Sequence, residues 1–210
     1  MVVRIGDLAS GDAERCIIIA ERAFREDPFF SAVSGRNGAG YPLLVSLLVR
    51  VWLESQMPFV VEEDGELVGF AVVSGTGGEA ISARRCVKLG AGRVVRACGV
   101  RNLLAFLRAA TRFDRVWEDQ PGPKRYLTLL AVDPDHQGKG VGTALLQEGV
   151  IPRLREEGVA ALCLNTNNEK NWAFYHKNHF EEVGTASLRV GKALVSDWSF
   201  RLGLSGERGQ

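Results

Sequence analysis

The chain contains no apolar run approaching the roughly 18 residues that mark a membrane-crossing helix. Cys16-Ile17-Ile18-Ile19-Ala20 sits inside an amphipathic pattern instead. The N-terminus shows no basic leader, apolar h-region or small-residue cleavage site. Four cysteines form no C-x-x-C pair, and H-E-x-x-H is absent, so neither a zinc site nor a thioredoxin-like motif is expected. Cys16 and Cys163 have apolar neighbours and read as core packing. The net charge is only +1, so no global field argues for nucleic acid or a membrane surface. These absences lead us to expect a soluble, cytoplasmic protein without metal. With 210 residues, 46% apolar and 24% charged, the chain can build a real core as one domain, or one domain with an insertion.

The chain is organised around Tyr126 to Leu146. Tyr126 to Val132 is apolar and stops at Asp133-Pro134, which predicts a strand buried on both faces. Gln137-Gly138-Lys139-Gly140-Val141-Gly142-Thr143 follows, and Val141, Leu145, Leu146, Val150 and Leu154 recur at helical spacing. Strand, glycine loop and helix start together make an anion site, because the loop frees backbone N–H groups and the first helical turn adds orphan donors. A pyrophosphate suits it. The dinucleotide fingerprint fails for want of a third glycine in frame, and the P-loop fails because no Gly-Lys precedes Ser or Thr.

Gln-x-x-Gly-x-Gly after a strand ending Val-Asp-Pro closely resembles the acyl-CoA pyrophosphate loop of the GNAT superfamily of N-acetyltransferases. Asn168 to Phe180 resembles the family's other cofactor-side motif, in which a short helix carries an Asn and, one turn later, a Tyr. Asn171 and Tyr175 are four apart and share a helix face. His179 stands where the family usually has a C-capping glycine; a left-handed residue there would be strained for His, though less than for a β-branched residue. The resemblance implies acetyl-CoA as cosubstrate, a small amine as acceptor, and direct attack of the amine on the thioester. It places the thioester carbonyl at the backbone of Leu130, Ala131 and Val132. It places the pyrophosphate on Gln137, Gly138, Lys139, Gly140, Val141, Gly142 and Thr143, and the CoA arm at Asn171. Tyr175 becomes the catalytic acid for the leaving thiolate.

Taken in order, Val2 to Ile5 reads as a strand and Asp12 as the cap of a helix to about Arg25, ended by Asp27-Pro28. Tyr41 to Gln56 is a second helix, and Phe59 to Val73 a hairpin turning at Asp64-Gly65. Residues 75–123 form an insertion with room for two helices, roughly Ala83–Ala97 and Arg101–Asp119. Pro152 should kink the central helix near Val150. Ala160 to Asn165, about Phe180–Val190 and Leu194–Leu202 complete the strands, and Ser205 to Gln210 should fray. This order matches the GNAT fold: an α/β (α+β) domain over residues 1–210, with a mixed, mostly antiparallel sheet of about seven strands and flanking helices. The Asp27-Pro28 ending, the long insertion and the proline in the central helix look most like the branch containing puromycin-type acetyltransferases.

No Asp or Glu lies on the central strand to act as general base. Glu118, Asp119, Glu26, Asp27 and Glu54 are alternatives, as is a water chain or an amine that arrives neutral. His176 and His179 have metal-compatible spacing but no third ligand, and His136 is expected on the solvent side of the loop. The Arg/Lys set from Arg84 to Arg115 lacks interleaved aromatics, so no nucleic-acid partner is expected. Homodimer formation stays open. So do a non-catalytic acyl-CoA sensor and the acetylation of a protein amine.

Overall fold

The computed structural model describes residues 1–6, 8–35, 38–75, 83–114, 122–190 and 193–204, with only the backbone described for 109–114 and 188. Among the described residues seven strands form one sheet: β1 (Val2–Ile5), β2 (Met57–Glu63), β3 (Glu66–Ser74), β4 (Lys124–Val132), β5 (Ala161–Thr166), β6 (Glu181–Val190) and β7 (Ala193–Gly203). Their spatial order is β1-β2-β3-β4-β5-β7-β6. Every neighbouring pair is antiparallel except β4 with β5. The expected mixed, mostly antiparallel sheet is therefore present.

Side chains of β2 and β3 alternate between two cores, as a period of two requires when both faces are covered. Val60, Phe70 and Val72 pack under α1 (Asp12–Ala23) and α3 (Tyr41–Ser55). Phe59, Val61, Val68, Ala71 and Val73 pack on the opposite face, against the central helix. That helix runs from α4 (Val141–Ala144) through a π-helical stretch (Leu145–Val150) into α5 (Ile151–Glu156). Ile151 donates to the Leu146 carbonyl, five residues back, just before Pro152. The expected proline kink thus takes the form of a widened turn, which accommodates the missing proline donor.

Several local expectations are corrected. Asp12 does not cap α1. Gly11 holds the cap position, while the Asp12 carboxylate accepts from the Ala9 amide and from Arg4 at 2.8 and 3.0 Å. Asp27 ends nothing by itself but caps a new short helix, α6 (Pro28–Val33). The first insertion helix is split in two, α7 (Ala83–Lys88) and α8 (Ala91–Cys98), because Gly90 takes a φ of 95° between them. The second insertion helix is α9 (Val100–Asp114), and the expected continuation to Asp119 lies outside the described residues, as does the fraying expected of residues 205–210. The hairpin turn places Asp64 and Gly65 at φ 53° and 82°, as its sequence required. The helix of the second motif, α10 (Glu169–Lys177), is capped by Asn168, whose side chain accepts from the Lys170 amide. His179 adopts φ 67°, so the helix ends on a left-handed residue although no glycine stands there.

Candidate active site

Strands β4 and β5 pair only over Lys124↔Ala161, Arg125↔Leu162 and Tyr126↔Cys163. Beyond Tyr126 they part, so alternate peptide groups of β4 face the gap without a ladder partner. A bulge helps to open it. Val72 pairs with Leu129 and Val73 with Leu127, which leaves Thr128 as the extra residue. Leu127 and Leu129 would otherwise share a face; instead Leu127 joins one core and Leu129 the other. Thr128 turns its hydroxyl to Gln56 Oε1 at 2.7 Å.

Beyond β4 the chain is pinned by Asp133, which is 1% exposed. Its carboxylate receives Arg22 at 2.7 Å, Arg15 at 3.2 Å and the Asp135 amide at 3.1 Å. Gln137 then donates its amide to the Val132 carbonyl at 3.1 Å. The glycine loop that follows is exposed, with Gly138 at φ 75° and Gly140 at 87°. A β-carbon on either would meet nothing within 4 Å, so open space lies over the loop. Among the described residues nothing accepts from the backbone N–H groups of Gly138 to Thr143, whereas Ala144 already donates to the Gly140 carbonyl. Free donors under open space at a helix start fit a pyrophosphate. Lys139 sits exposed in the same loop.

On the far side of the gap, Asn171 donates to the Thr166 hydroxyl at 3.3 Å. Tyr175 is 7% exposed and lies among Phe174, Phe180 and Phe200, with ring centroids 5.1 to 5.7 Å away. Its hydroxyl has no protein partner among the described residues, and burial pushes its pKa well above the usual phenol value. Asn171 and Tyr175 do line one cavity, together with Leu130 of the parted strand. Ala131 and Val132 are buried beyond that cavity, and the glycine loop lies outside it.

The cavity holds about 900 Å³. It extends from the gap beneath α6, α3, α8 and α9, where Phe30, Leu44, Val51, Val94, Leu103 and Phe106 wall it. The insertion thus forms part of the wall. Cys98 on α8 locks it in place, for a β-carbon at Gly40 would collide with the Cys98 sulfur. Described arginines of the insertion do not line the cavity, and Arg85 instead pairs with Glu54 at 2.6 Å. Sequence reasoning missed the polar cluster at the cavity edge: Tyr126 donates to Asn165 Oδ1 at 3.0 Å, and Asn165 to the buried Asp197 at 2.5 Å. No sequence pattern links β4, β5 and β7, so no signal could have found it.

Of the carboxylates considered as bases, only Asp27 lines the cavity. Glu26 is exposed, Glu54 is paired with Arg85, and Glu118 and Asp119 lie outside the described residues. His136 is partly buried rather than on the solvent side, with Nε2 3.7 Å from Glu63. His176 lies against Trp172 with centroids 4.1 Å apart and the rings tilted by 56°. Among the described residues no group of three or more His, Cys, Asp or Glu is arranged to hold a metal. None of their helices is long and apolar enough to cross a membrane.

A mixed sheet parted between two strands, with a glycine-lined helix start beside the gap, is the architecture of an acyltransferase. The Acetyltransferase (GNAT) family model matches residues 27–180, and the chain belongs to that family, whose cosubstrate is acetyl-CoA. A curated relative, mycothiol acetyltransferase of Propionibacterium freudenreichii, is 38% identical over 73 residues. That match spans 34% of this chain and only 23% of the relative. Among solved structures, the histone acetyltransferase HPA2 and related acetyltransferase of Corynebacterium glutamicum superposes with a TM-score of 0.66 at 19% identity, covering all of both chains. The Drosophila melanogaster polyamine N-acetyltransferase gives 0.57 at 16% identity, covering 96% of this chain and 100% of its own. At such identities the structural likeness speaks to the fold.

Proposed function

We propose that this chain transfers the acetyl group of acetyl-CoA to the amine of a small molecule by direct attack on the thioester. The observation that carries the reading is the junction itself: the parted β4–β5 gap, Asn171 and Tyr175 open onto the same cleft. A cleft of this size with a mostly apolar lining suits a drug-sized ligand. In this reading the pyrophosphate lies on Gln137, Gly138, Lys139, Gly140, Val141, Gly142 and Thr143. The pantetheine arm passes Asn171, and the carbonyl meets backbone donors of Leu130, Ala131 and Val132. Donors aimed at the developing oxyanion are worth roughly 2.7–4 kcal/mol.

The amine nitrogen bonds to the carbonyl carbon and the C–S bond breaks. Tyr175 gives its proton to the departing thiolate and regains one from solvent. Burial keeps the phenol protonated but makes it a weaker acid, so the proton passes only as full thiolate charge develops on sulfur. The amine reacts neutral, its proton leaving through cavity water. A ping-pong route through Cys163 is disfavoured, because burial pushes that thiol up to about 11 and leaves little thiolate. The puromycin-type branch, one domain over residues 1–210 and a cytoplasmic location belong to the same proposal. CoA release measured over a panel of small amines tests it. Acetyl-CoA binding without turnover of any amine would instead favour a sensor.

A further inference from the structure

Asp27 is the only carboxylate among the described residues lining the cavity. Its Oδ1 accepts from the Phe29 and Phe30 amides at 2.9 and 3.0 Å, and Oδ2 has no partner among the described residues. Aromatic rings crowd this end. Phe24, Phe29 and Phe30 line the cavity beside Asp27, with Phe24 and Phe30 centroids 5.6 Å apart. Phe29 stacks at 4.9 Å on Phe106 of the insertion. Among the described residues no lysine or arginine of this end lines it. The two lining cations, Lys124 and Arg125, open β4, and Arg125 is held by Glu157 at 2.9 Å. A half-satisfied carboxylate among aromatic faces attracts an organic cation by charge and by the ring quadrupoles. Burial also raises the Asp27 pKa, the mark of a charge short of a counter-charge.

We propose that the Asp27 end of the cavity is a cation subsite, taking a second positive group of the acceptor beyond an apolar body. The acetylated amine then lies at the Tyr175 end, so the substrate class is a diamine, or an amine with a guanidinium, bridged by an aromatic or aliphatic spacer. This rests on the acetyltransferase reading for which nitrogen reacts, but not for binding itself. Apolar lining from Leu44, Val51, Val94 and Leu103 between the two ends accounts for the spacer.

The test compares phenylbutylamine with its para-aminomethyl derivative, using the full chain with CoA present. Affinity is read by calorimetry with CoA, and turnover by CoA release when acetyl-CoA replaces it. Wild type should favour the diamine at least about tenfold, and Asp27→Asn should bring the ratio to within about twofold. Asparagine still caps α6, and Asp27→Ser, which also caps, serves as the second variant. Lack of diamine preference in wild type, its survival in both variants, or failure of both amines to bind would overturn the subsite. So would an equal fall of kcat for both amines, since that identifies a base instead. Diamine-selective binding without turnover would keep the subsite and defeat the acetyltransferase reading alone.

Discussion

Gly142 lies against the ring of Phe174: a β-carbon there would stand 3.1 Å from Phe174 Cζ and 3.3 Å from Cε2. The start of the central helix and α10 thus meet without a spacer, although 32 residues separate them in sequence. Through this contact the glycine loop sets the position of Asn171 and Tyr175. Gly142→Ala should push α10 outward, raising the acetyl-CoA KM and lowering kcat together. Pairing it with Phe174→Leu should restore part of both. Unchanged kinetics in the single variant would show that α10 gives way at no cost.

Gly140→Val tests the anion site without that contact. The β-carbon at this position meets only open space, so the penalty comes from φ 87° and from obstructing the loop's N–H groups. Calorimetry should show acetyl-CoA binding lost while the fold persists by circular dichroism. Retained affinity would remove the loop from the cosubstrate site.

Tyr175→Phe should lower kcat by roughly 10²- to 10⁴-fold while leaving acetyl-CoA affinity nearly unchanged. Burial raises the folded-state pKa of Tyr175 above its unfolded value of about 10. The folded state therefore keeps a proton that the unfolded chain loses, and stability must fall as pH rises above about 10. Removing the hydroxyl should flatten that fall in urea titrations at successive pH values. A variant with wild-type turnover would reduce Tyr175 to packing.

Asp133→Asn should destabilise the fold by about 1–3 kcal/mol, since a buried acceptor of two arginines is weakened. The cost stays below that of a fully buried pair because Arg15 and Arg22 are each about a third exposed, with side chains at 34% and 37%. Urea midpoints measure it. Because Asp133 follows β4 directly, the acetyl-CoA KM should rise as well; an unshifted midpoint would show the pairs to be dispensable.

Local chemistry was written in the chain wherever neighbours in sequence decide the outcome. Asp64-Gly65 specified its turn, the glycines after Gln137 a loop and helix start, and the spacing of Asn171 and Tyr175 a shared face. At His179 the sequence left the helix end open, and the structure gives it a left-handed backbone. Errors arose where a side chain had two local uses: Asp12 looked like a cap but binds Ala9 and Arg4, and Asp27 looked like a stop but begins a helix. Only the tertiary structure decided what required distant segments to meet. The Thr128 bulge follows from the mismatch of β4 with β3, and the Asp133 anchor from arginines 118 and 111 residues earlier. The cavity needs β4, α3 and the insertion to enclose one volume. Periodicity determines which face of an element is apolar, but which faces come together depends on register and packing between elements, and no window along the chain contains them.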